Sequence, residues 1–73
     1  MTIKELSDKL EQMYKGAQKN EKVTMIHLFG IKYHTQIKEV GVQKIIEQSG
    51  MPSSYHTEIS KGVKLAKYVK VMD

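Results

Sequence analysis

Ser53, Ser54, His56, Thr57 and Ser60 place hydrogen-bonding side chains within one short stretch, and Lys61, Lys64 and Lys67 follow it directly. Hydroxyl and imidazole groups can bond to the edges of nucleic-acid bases, although Ser and Thr discriminate loosely. Ammonium groups act as compact point charges that serve phosphates well. Lys44, a few residues upstream, adds a further cation. Glu58 stands among them and repels phosphate unless it turns toward a cytosine amino group. The chemistry these residues offer is non-covalent recognition of a polyanion. The same Ser and His side chains also have a plainer use: Ser53 and Ser54 as helix caps, His56 as a partly buried residue.

Other chemistries find little support. No Ser-His-Asp ordering, phosphate loop or paired carboxylates stand out, and a small core leaves little room for a pocket. We therefore expect no enzyme and no cofactor. His27 and His34 lie seven apart, a spacing that shares a helix face, but neither Cys nor a close carboxylate completes a zinc site.

The elements that must position the polar stretch come next. Val42, Ile45, Ile46 and Ser49 recur at helical spacing and give one apolar face. Gly50 can take the left-handed conformation that ends such a helix. Pro52, with its fixed φ and missing N–H, suits the first turn of a second helix. Tyr55 and Ile59 fall four apart on that helix's inner face, and Gly62 offers a stop. Two helices joined by a short Gly-containing turn form the unit that sets its second helix in a DNA major groove.

The run Ile46-x-x-x-Gly50-Met51-Pro52-x-Ser54-x-x-x-x-Ile59 resembles the helix-turn-helix of bacterial winged-helix repressors, whose motif often reads small-x-x-x-Gly-Leu-Pro-x-Ser-Thr before an apolar pair. It covers roughly a quarter of the chain. Ile46 is bulky where Ala is usual, and His56 stands where Val or Ile is expected, with Tyr55 beside it. The resemblance implies a duplex-DNA partner, contacts from the start of the second helix, and a wing.

The whole chain sets the bounds. Its 73 residues predict one domain, spanning 1–73, with a marginal core. There is no Cys, so no disulfide framework, and a reducing cytosol fits best. The charged N-terminal stretch is neither a signal peptide nor a membrane span. Net charge is +4, which favours polyanionic partners. Residues 1–60 hold eight Lys against seven acids, whereas residues 61–73 hold four Lys against Asp73. All twelve basic residues are Lys. Genome composition explains the missing Arg most simply, but affinity should still lean on phosphates and fall steeply with salt.

Along the chain, Thr2 and Glu5 predict a capping box opening a first helix from about Ile3 to Gln18. Ile3, Leu6, Leu10, Met13 and Ala17 form its apolar stripe, either core-facing or, in a homodimer, an intermolecular seam. A second helix is predicted from Glu21 or Lys22 to Tyr33, apolar nearly all round and hence central. Gly30 inside it costs roughly 1 kcal/mol against Ala, which implies a packing reason such as a close helix crossing. His34–Val40 alternates weakly, as a short strand does. Val63–Met72 reads as extended beyond the helix, most clearly over Lys67–Met72, and could pair with His34–Lys38 as a minimal wing. One long helix from Ser53 through Val69 is the competing reading. Tyr33–Ile37 and Tyr55–Ile59 are near copies, too few to make a repeat architecture.

The expected fold is mainly α: four helices, the last two a helix-turn-helix, with a short two-stranded wing-like element. The expected function is duplex DNA binding, as a small bacterial or phage transcriptional regulator in the cytoplasm or the recognition domain of a larger phage or plasmid system. The alternative is a protein-interaction or dimerisation module in which the helix pair is only architecture. Single-stranded RNA binding by Tyr55, Tyr68 and the basic tail ranks last, because stacking aromatics are few.

Overall fold

Thr2 opens the first helix. In the computed structural model, which describes residues 1–72, its hydroxyl accepts the Glu5 N–H at 3.1 Å while the Glu5 carboxylate accepts the Thr2 N–H at 2.8 Å. The expected capping box is thus formed, and two donors left over at the helix start are satisfied. These bonds to Thr2 also hold the Glu5 carboxyl below its ordinary pKa. Helix α1 spans Ile3–Lys15 and ends before Gln18: the Gly16 N–H closes onto the Gln12 carbonyl and the Ala17 N–H onto that of Tyr14.

The α1 stripe is used within the chain. Leu6 and Leu10 are fully buried, and Ile3 and Met13 pack against the same cluster. Ala17 lies past the helix. Ser7, only 2 % exposed, sits where α1 meets the segment around Ile45. Its hydroxyl donates to the Ile3 carbonyl at 2.8 Å and lies 3.5 Å from that of Ile45.

A 3-10 turn, Lys19–Glu21, leads into α2, Lys22–Lys32. Ile26, Phe29, Gly30 and Ile31 are buried, which makes α2 the central element its composition predicts, although Val23 near its start is exposed. Tyr33, at φ −110° and ψ 24°, kinks the chain directly into α3, His34–Val40. This corrects the expected strand. Ile37 is the buried residue of the segment and Val40 packs beside it, a helical rather than an alternating spacing. The Tyr33 carbonyl accepts the Ile37 N–H at 2.9 Å, so the backbone is already in helical register.

Gly41, at φ 98° and ψ 134°, ends α3 and opens α4, Val42–Ser49. Ile45 and Ile46 are the buried face of α4. Gly50 takes the left-handed conformation, φ 72°, and its N–H bonds the Ile46 carbonyl at 3.1 Å. Ser49 reinforces the turn: its hydroxyl donates to the Ile46 carbonyl and accepts the Met51 N–H.

Helix α5 spans Tyr55–Leu65. Ser53 and Ser54 do not cap it. Ser54 already has helical angles, φ −59° and ψ −24°, whereas a capping side chain needs extended backbone to reach forward. Backbone bonds from Tyr55 to Pro52 and from His56 to Ser53 start the helix instead. Gly62 is not a stop; it lies inside α5, against Gly30. His27 of α2 pairs with Glu58, Gly30 touches both Ile59 and Gly62, and residues from His34 onward face Val63–Tyr68.

After Leu65 the chain turns rather than extends. The Lys67, Tyr68 and Val69 N–H groups bond the Lys64 and Leu65 carbonyls. No strand occurs among the described residues. The wing is therefore corrected: its first strand is α3, and its second begins as the last turn of α5. Among the described residues the α-helices number five rather than four, the extra one being α3. One apolar cluster joins Leu6, Leu10, Ile26, Phe29, Ile37 and Ile59 with the two α4 isoleucines.

Candidate nucleic-acid interface

The α4–turn–α5 unit presents α5 with one face inward and one outward. Ile59 and Gly62 are buried, and Tyr55 and Val63 pack against the core. Thr57, Lys61 and Lys64, at spacings of four and three, lie on the opposite side and are exposed. Ser53 and Ser54 are exposed in the turn that precedes them, while His56 and Ser60 are half-buried at the helix flanks. Lys67 is exposed just past the helix end, and Lys44 is exposed on α4, three residues from Glu47.

The start of α5 is seated by a tyrosine pair. The Tyr14 and Tyr55 hydroxyls are 3.2 Å apart, with ring centroids at 5.5 Å in edge-on packing. Their shared hydrogen bond raises the Tyr55 pKa, and partial removal from water adds to the shift. Lys22 locks the other side, with its ammonium 4.5 Å from the centre of the Tyr14 ring and donating to the Tyr14 carbonyl.

Glu58 is withdrawn from the outer face. Its carboxylate accepts from Lys61 at 3.2 Å and from His27 Nε2 at 3.3 Å. Since a carboxylate can only accept, the His27 ring carries its proton on Nε2. The Lys61 ammonium, and behind it the His27 bond, hold the Glu58 carboxyl below its ordinary pKa against the opposing effect of desolvation. An acid in the middle of the basic stretch is thereby neutralised, but part of the Lys61 charge is spent on it.

Sequence reasoning missed the contribution of α3. Its Lys38 and His34 share an open groove of about 580 Å³ with Lys64, Lys67 and Tyr68. Lys38 also borders a smaller depression with Ser60 and Val63. A helical reading of His34–Val40 puts Lys38 one turn from His34 and would have flagged the pair; a strand reading separates them. His27 and His34 lie on different helices, and His34 Nδ1 donates to the Ile31 carbonyl at 2.9 Å. Among the described residues no group of three or more His, Cys, Asp or Glu gathers as metal ligands would.

A family model described as an HTH-like domain matches residues 2–72. The chain belongs to the HTH-like domain family. The match covers α1 through the turn after α5, so the HTH-like unit is all five helices rather than the α4–α5 pair alone. No curated protein and no solved structure matches the chain. Among the described residues of this HTH-like chain no helix is long and apolar enough to cross a membrane.

Proposed function

We propose that this HTH-like chain binds duplex DNA by laying α5 in the major groove, as a small transcriptional regulator or as the recognition part of a larger assembly. The observation that carries the reading is the outward face of α5. Behind a left-handed Gly50 turn it sets Thr57 between the exposed Ser53–Ser54 turn and the exposed ammonium groups of Lys61 and Lys64. In that pose Ser53, Ser54, Thr57 and, at the flanks, His56 and Ser60 meet base edges, which gives a modest sequence preference. Lys64 and Lys67, with Lys38 from α3 and Lys44 from α4, meet phosphates and supply the affinity.

A salt series on binding to a random duplex tests the proposal. Neutralising Z phosphates makes log K fall with log salt at a slope of about −0.9Z, so three or four phosphate-bound lysines give about −3 to −4. An affinity independent of salt would sink it.

A second reading, a protein-interaction module, is favoured by a different observation: Leu65, Tyr68, Val69 and Met72 are all exposed at the C-terminal end. Changing Lys61, Lys64 and Lys67 together to Gln separates the two. Under the DNA reading duplex binding disappears, and under the second reading self-association or partner binding survives unchanged.

A further inference from the structure

We propose that the groove between α3 and α5 is a binding site for a single phosphorylated nucleoside, either a free nucleotide or one at the end of a strand. Its volume of about 580 Å³ lies in the range of small-molecule sites, which runs from roughly 300 to 1,000 Å³. Lys38, Lys64 and Lys67 border it, and none of the described residues that line it is acidic. Three ammonium groups around one concavity focus a positive field and draw an anion such as phosphate.

The rest of the lining argues for a flat ring attached to that anion. The groove has an apolar floor of Val63 and Ala66 and an aromatic wall, Tyr68. Tyr68 is 78 % exposed, so its ring is open to a ligand. The Lys67 ammonium lies over one face of that ring, 5.9 Å from its centre, which leaves the other face for a base. Bases stack on aromatic side chains irrespective of their identity. His34 supplies a polar group of defined character. Its Nδ1 gives its proton to a carbonyl that can only accept, which leaves Nε2 for a polar group of the ligand such as a ribose hydroxyl.

The inference goes beyond duplex recognition: it shares Lys38, Lys64 and Lys67 with the proposed duplex contacts, whereas His34 and Tyr68 belong to the groove alone and Thr57 and Lys61 do not line it. Sequence reasoning expected little room for a pocket in so small a core. The groove avoids that limit by lying between helices at the surface.

Amide shifts on titration test the site, with adenosine 5′-monophosphate, adenosine and inorganic phosphate as separate probes. The nucleotide should move the amides of residues 34, 38 and 63–68 and bind more tightly than either fragment. Tyr68→Ala, at an exposed position, should weaken the nucleotide about tenfold through lost stacking and leave inorganic phosphate unaffected. Lys38→Gln with Lys67→Gln should weaken both. A blunt duplex, compared with one bearing a single unpaired 5′-phosphorylated nucleotide, tells a strand end from a free nucleotide as the source. Equal binding of phosphate and nucleotide, indifferent to Tyr68→Ala, would overturn the proposal in favour of a mere cation patch. Stronger shifts of the same amides by an acidic peptide would overturn it in favour of protein docking.

Discussion

Gly30 and Gly62 meet backbone to backbone where α2 crosses α5. A Cβ added to Gly30 would lie 2.6 Å from the Ile59 carbonyl oxygen and 2.9 Å from the Gly62 Cα. One added to Gly62 would run into the His27 carbonyl oxygen. The obstructing atoms are main chain on both sides, so no rotamer change relieves the clash. Gly30→Ala should therefore lower stability by about 1–3 kcal/mol, the usual cost of overpacking, although Ala is the better helix former by about 1 kcal/mol. Urea denaturation measures the difference; a variant as stable as the parent would mean the two helices part without cost.

Backbone conformation alone governs the two hinges of α4. Neither Gly41 nor Gly50 has anything within 4 Å of an added Cβ, yet both have positive φ. Gly50→Ala should cost about 1 kcal/mol, the penalty of a Cβ in the left-handed region, and Gly50→Asn less. Gly41→Ala should cost more, about 1–3 kcal/mol, because its angles fall outside the left-handed basin that other residues visit. Thermal unfolding should rank the three variants Gly50→Asn, Gly50→Ala, Gly41→Ala from least to most destabilised.

Glu58 gives the fold an acid limb with a known sign. Its carboxyl, held by Lys61 and His27, titrates below the ordinary value of 4.5. A depressed folded pKa means stability that is complete above the unfolded value and lost as pH falls through the folded one. Glu58→Gln should make stability less dependent on pH in that acid window. Part of the acid dependence should remain, since Glu5 is depressed as well through Thr2. Unfolding midpoints collected from neutral pH downward decide the point: parallel curves for parent and variant would refute the coupling.

The lysines should not be equivalent on duplex DNA. Lys64→Gln and Lys67→Gln should each reduce the salt slope by about 1. Lys61→Gln should reduce it by less, because Glu58 already partners that ammonium. Thr57→Ala should leave the slope intact and blur discrimination between sequences. Binding isotherms at several salt concentrations would show a different ordering if the outward face of α5 were not the contact.

Much of this architecture could be read from residue order. The Thr2–Glu5 box, the α1 stripe, the burial of α2, the Gly50 turn and a crossing at Gly30 all follow from local rules about caps, periodicity and backbone freedom. What escaped reading depended on partners distant in the chain. His34–Val40 alternates weakly in isolation, but Ile37 and Val40 find the core only as helix neighbours. Gly62 resembles a terminator until Gly30 is set against it. Val63–Met72 looks extended because Val63 and Ala66 have no evident helical face until α3 supplies the other wall of the groove. Of the interface, the exposed polar positions on α5 were legible. Lys38 was not, and Tyr68 was read only as a single-stranded RNA contact, since their shared neighbourhood exists only once α3 is helical; no local pattern shows Glu58 reaching across to His27.

The Tyr14–Tyr55 hydroxyl pair also makes the molecule self-reporting. The chain has four Tyr and no Trp, so phenol absorbance and emission are not masked by indole. One of those phenols anchors α5 to α1, and loosening of that anchor will register as an ultraviolet signal without any label being attached.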